Sequence, residues 1–173
     1  MTVVFRTERL TVRPWAEPDA ERLFDMYSRM DVVQYLGATP QVMTEPAQAL
    51  RTLARWHERS ADPRFGIWAV ERADGVVAGT VLLVPLPDDA GTGRGEVEVG
   101  WHFHPDSWGN GYATEAARGA IEKGFAEGLD DIYAVVHPPN TASIRVCERL
   151  GMTALGRTSQ WYGLELEGFR ITR

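Results

Sequence analysis

A chain of 173 residues with 44% hydrophobic and 24% charged side chains can bury one sizeable core, so a single domain over residues 1–173 is expected. A formal net charge of −6 argues against a nucleic-acid partner, which calls for a basic face; it suits an amine or a basic peptide, although acidity for solubility also explains it. Cys147 is the only cysteine, which excludes an internal disulfide, a thiolate zinc cluster and a CxxC redox pair, and no apolar run approaches membrane-spanning length, so a cytoplasmic protein is expected.

Leu10-Thr11-Val12-Arg13 alternates apolar and polar residues before Pro14, the pattern of a first strand ended by a residue without an N–H. Ala20, Leu23, Phe24, Tyr27 and Met30 then recur at helical spacing behind Pro18 and Asp19, and Gly37 closes the region. A further helix starts at Thr44 and Pro46, with Ala49, Leu50, Leu53 and Trp56 as its apolar stripe.

From Phe65 the period changes to two: Phe65–Val70, the Asp74-Gly75 turn and Val76–Val84 form an antiparallel hairpin. Residues 85–95 carry the composition of a loop. Strand Glu96–His104 follows, then a helix over Gly111–Glu127, a strand at Ile132–His137, a helix at Thr141–Leu150, and strands near Leu155–Tyr162 and Glu165–Thr172. This order implies an α/β (α+β) domain, a mixed sheet with helices on its faces and a ligand where neighbouring strands part.

The chemistry-bearing motif is Trp108-Gly109-Asn110-Gly111-Tyr112-Ala113-Thr114, placed between a strand and a helix whose inward stripe is Ala113, Ala116, Ala117, Ala120, Ile121 and Phe125. A helix start leaves its first N–H groups unpaired and carries roughly half a positive charge, so a glycine turn lets a diphosphate approach those donors. Two glycines alone describe a simple turn more readily than a phosphate site, so the flanking residues have to decide. No Lys-Ser/Thr follows a glycine as a P-loop requires, and no third glycine completes a dinucleotide fingerprint. Gly91-Thr92-Gly93-Arg94-Gly95 precedes a strand, not a helix, and reads as loop.

Trp108-Gly-Asn-Gly-Tyr-Ala-Thr-Glu-Ala116 resembles the acyl-CoA pyrophosphate motif of the GNAT superfamily of N-acetyltransferases. Thr7-Glu-Arg-Leu-Thr-Val-Arg-Pro14 resembles the first strand of the branch typified by ribosomal-protein N-terminal alanine acetyltransferases, Glu98-Val-Gly-Trp101 its fourth strand, and Asn140-Thr-Ala-Ser143 through Arg149-Leu-Gly-Met152 the motif that follows. The resemblance implies a mostly antiparallel sheet whose fourth and fifth strands splay at a bulge. Acetyl-CoA would lie in the gap against the backbone of Trp101, His102 and Phe103, with its diphosphate on residues 108–114 and with Asn140 and Ser143 beside it. Asn140 is equally a helix N-cap, and Ser143 equally bonds its own backbone. Where many members carry a tyrosine acid this chain has Cys147, which reads better as small core filler.

Amine attack on a thioester needs a neutral amine, so a proton acceptor is required. Glu98 is the first candidate, on the face opposite Val97, Val99 and Phe103, with a cross-strand partner as its structural reading. His102, on the same face, is the second; His104 at the strand end reads as structural, and no metal site is expected. By the resemblance, the acceptor is expected to be a small-molecule amine, an amino acid or a peptide N-terminus, in a pocket that Met26–Trp56 and Gln160–Glu167 would shape, with Trp161 and Tyr162 as candidates. The competing reading is a non-catalytic acyl-CoA-binding module. A homodimer is a further expectation from the resemblance.

Overall fold

The computed structural model describes residues 2–87 and 95–173; the Gly91–Gly93 glycines of the expected loop lie outside the described residues. One eight-stranded sheet runs through it. The strands, in chain order, are β1 (Phe5–Arg6), β2 (Leu10–Pro14), β3 (Gly66–Arg72), β4 (Val77–Pro85), β5 (Val97–Phe103), β6 (Asp131–Val136), β7 (Thr153–Thr158) and β8 (Leu166–Thr172). Their spatial order is β1-β2-β3-β4-β5-β6-β8-β7, antiparallel everywhere except at β5 and β6.

The helices are α1 (Ala20–Tyr27), α2 (Met30–Val33), α3 (Pro46–Arg59), α4 (Tyr112–Ala126) and α5 (Thr141–Arg149). They cover both faces. On one side Leu23, Met26 and Tyr27 of α1 and Ala49 and Leu53 of α3 pack with Trp15, Ala69 and Val77; on the other, the alanines of α4 and Val146 and Cys147 of α5 pack against Val81, Leu83, Val97, Val99 and Ile132. Ala116, Ala117 and Ala120 are all fully buried, and their single methyl groups let α4 lie close against the sheet.

Two apolar residues leave the stripes expected for them. The first helix ends at Ser28, whose hydroxyl donates to the Asp25 carbonyl, and extended Arg29 restarts the chain as α2, so Met30 is exposed. In α3 Thr52 is buried in the place of Leu50, which sits at the rim and is also exposed. The hairpin turn stands where Asp74-Gly75 predicts it, with Gly75 at φ 82°.

The opening that matters for function lies between β5 and β6. β5 keeps one uninterrupted register against β4, from Pro85↔Val97 to Gly79↔Phe103, yet shares with parallel β6 the single pair Glu98↔Tyr133. The expected splay is therefore a loss of pairing on the β6 side; the sheet's register shifts fall elsewhere, at Val70/Glu71 and Ala154/Gly156. β6 is held instead by β8 along its whole length, Asp131↔Thr172 to Val136↔Glu167.

Candidate active site

The gap between β5 and β6 opens into a cleft of about 1680 Å³, and every site residue expected from the sequence lines it, from Glu98 and His102 through residues 108–114 to Asn140 and Ser143. Its mouth is the glycine turn. A short turn of 3-10 helix at Pro105–Ser107 follows β5, and Trp108 folds back so that its indole Nε1 donates to the Phe103 carbonyl at 2.8 Å. Asn110 laces the turn with its side-chain amide, donating to the carbonyls of Ser107 (3.2 Å) and Trp108 (2.9 Å).

Gly109 and Gly111 stand at φ 75° and 79°, the left-handed region that costs a side-chain-bearing residue energy. Space is open around them: a Cβ at Gly109 would meet nothing within 4 Å, and one at Gly111 only the Arg9 guanidinium at 3.6 Å. Among the described residues no backbone hydrogen bond uses the N–H groups of residues 109–114, while the Gly111 carbonyl already accepts from Glu115. The turn thus offers a row of free donors at the start of a 15-residue helix. Thr114 Oγ1, at that same helix start, is buried without a hydrogen-bond partner among the described residues. These features fit a diphosphate.

A cation stands beside this turn that no sequence pattern marks. Arg9, just before β2, stacks over the Tyr112 ring at 4.9 Å and pairs with Glu115, which also accepts from the Thr7 hydroxyl at 2.5 Å. Burial alone would raise the Glu115 carboxyl; the bonds from Thr7 and Arg9 outweigh it and hold the group below the usual carboxylate range. Arg118, Arg145 and Arg149 also line the cleft, so an acidic protein places further cations along it. Nothing local marks Arg9, because its partner lies 106 positions away.

At the far end, where β5 and β6 still touch, sits Glu98. Burial pushes its carboxyl up to about 7 against the pull of a hydrogen bond from the Tyr162 hydroxyl, 2.5 Å from Oε2. His102, four residues along the same face, faces the α1 side: its Nδ1 lies 2.9 Å from the buried Tyr27 hydroxyl, itself 3.0 Å from Thr80 Oγ1. Burial draws the His102 imidazole down to about 4, so it stays neutral. Four strand residues span roughly 13 Å, so the two groups cannot serve one proton together.

Asn140 does cap α5, accepting from the Ser143 N–H at 3.2 Å while lining the cleft. Cys147 is fully buried in the core, and burial pushes its thiol up to about 12. His104 is structural: its Nε2 lies 3.0 Å from Asp25, and its Nδ1 accepts the Asp106 N–H at the 3-10 turn. Trp161 is buried and donates its indole N–H to Glu96, whereas Tyr162 is half exposed at the cleft.

Residues 9–153 match the family described as "Acetyltransferase (GNAT) domain". The chain belongs to that family. It is similar to an uncharacterized N-acetyltransferase of Bacillus subtilis, YoaA, at 30% identity over 93% of this chain and 89% of that protein. Its fold is that of a GNAT-family acetyltransferase from Bacillus anthracis, at TM-score 0.80, 24% identity and 99% and 98% coverage of the two chains. RimJ of Mycobacterium smegmatis, solved in complex with CoA-disulfide, superposes at TM-score 0.79 with 18% identity, covering 94% of this chain and 81% of that one. The protein is therefore an N-acetyltransferase that uses acetyl-CoA as its donor. Among the described residues no helix is long and apolar enough to cross a membrane.

Proposed function

We propose that the enzyme acetylates a primary amine, on a small molecule, an amino acid or a peptide N-terminus, with Glu98 as the general base. The observation that carries this reading is the half-buried Glu98 carboxyl on the cleft, raised to about 7, where a base exchanges protons best near neutral pH. His102 drops from the role, because an imidazole held near 4 is too weak an acceptor for an ammonium proton.

The free N–H groups of residues 109–114 and the guanidinium of Arg9 would hold the diphosphate of acetyl-CoA, and the unpaired edge of Trp101–Phe103 its arm. The bound donor supplies an activated acyl group. The chain's own residues then hold the diphosphate at the mouth, line the acyl end, and accept the amine's proton at Glu98. The acceptor would enter on the side of α2 and the chain after it, where Asp31, Tyr35 and Leu36 line the same cleft.

Thiol release from acetyl-CoA, measured against amino acids, polyamines, aminoglycosides and short peptides, tests the acceptor class. With the best acceptor, Glu98→Gln should lower kcat by roughly 100-fold or more while acetyl-CoA affinity is kept. Wild-type kcat in that variant would remove Glu98 from the mechanism.

A further inference from the structure

One residue beside the proposed base is held in a conformation that packing does not explain. Tyr162, between β7 and β8, is the non-glycine residue with positive φ among the described residues, at 60°. Such backbone strain persists where the surroundings impose it, and its neighbour Gly163, at φ 61°, shows the residue type that meets this geometry freely. Tyr162 as a whole is 45% exposed, so burial in the core does not account for it.

The segment before it is docked onto Glu96, the residue that leads into β5. Gln160 Nε2 donates to Glu96 Oε2 at 3.1 Å and Trp161 Nε1 to the same oxygen at 2.9 Å, while the Trp161 ring lies 5.5 Å from that of Tyr133. Three consecutive side chains thus reach two glutamates, Glu96 just before β5 and Glu98 within it, and the last contact is the hydroxyl of Tyr162 on Glu98 Oε2.

We propose that Tyr162 is the positioning residue of this site: its hydroxyl fixes the Glu98 carboxylate through Oε2 and leaves Oε1 to take the proton of the acceptor amine. The proposal rests on Glu98 being the base. Around Glu98, β5 itself contributes His102 and the position just before it Glu96, β6 contributes Tyr133, β8 contributes Arg170 stacked 5.9 Å over the Tyr133 ring, and β4 contributes apolar Val84 in register. Against burial, which favours the neutral carboxyl, the Tyr162 hydrogen bond favours the carboxylate.

The test is the pH profile of kcat/KM between about pH 5 and pH 9 for wild type, Tyr162→Phe and Glu98→Gln, with circular dichroism to confirm folding. Losing the hydroxyl should move the acidic limb upward by about one pH unit, giving a roughly tenfold deficit below the limb that closes above it, with KM for acetyl-CoA unchanged. Tyr162→Gly, which relaxes the backbone, should repeat the shift. A limb unmoved in both Tyr162 variants but abolished in Glu98→Gln overturns the positioning role and leaves the base in place. A limb that survives in Glu98→Gln overturns both.

Discussion

The two ends of the cleft are built by opposite means. At the mouth, the groups proposed to bind the donor are backbone N–H donors of six consecutive residues, 109–114, presented by two left-handed glycines and one helix start. At the closed end, the groups are side chains from distant parts of the chain: Glu98 on β5, Tyr133 on β6, and Gln160, Trp161 and Tyr162 from the segment before β8. A diphosphate needs a fixed array of donors, which a local turn supplies. Proton transfer near neutral pH is helped by a carboxyl raised from its ordinary acidity, which at Glu98 comes from burial by other segments.

The contrast predicts that variants at the mouth change affinity and variants at the closed end change rate. Glu98→Gln, with the loss of rate stated above, is the largest effect. Next, Gly111→Val should weaken acetyl-CoA binding by about tenfold or more, because a branched side chain at φ 79° both strains the turn and enters the space open to the diphosphate. Calorimetric titration of the folded variant measures this; unaltered affinity would break the assignment of the mouth.

A smaller effect separates the ends by stability. Glu98 has a folded-state value near 7, above its ordinary 4.5, so the native state holds more protons in that window and loses stability as pH rises through it. His102, lowered from 6.5 to about 4, acts in the opposite sense, costing stability as pH falls through its own window. Glu98→Gln should therefore be more stable than wild type by about 1–2 kcal/mol at pH 8 and gain little at pH 5, read from urea midpoints. An equal difference at both pH values would show that burial does not shift this carboxyl.

The smallest effect belongs to Cys147. Cys147→Ala should cost about 1 kcal/mol of stability through lost packing and leave kcat unchanged. A large loss of rate in that variant would reinstate the thiol as an acid and move the chemistry from β5 to α5.

The amino-acid sequence by itself determined the mouth. Glycines at 109 and 111, the alanine stripe of α4 and the alternation of β5 are short-range patterns, and backbone conformation and helix polarity follow from neighbours a few positions apart. Placing Glu98 and His102 on one face of β5 also needed only the period of two. Their different fates did not follow from it. Tyr27 and Thr80 enclose His102, burial raises Glu98, and Arg9 reaches Glu115 across 106 residues, each through contacts made after the sheet and helices pack. The break after α1 and the single β5–β6 pair were decided at the same level. Acidity depends on which distant segments exclude water, and that is a property of the tertiary structure.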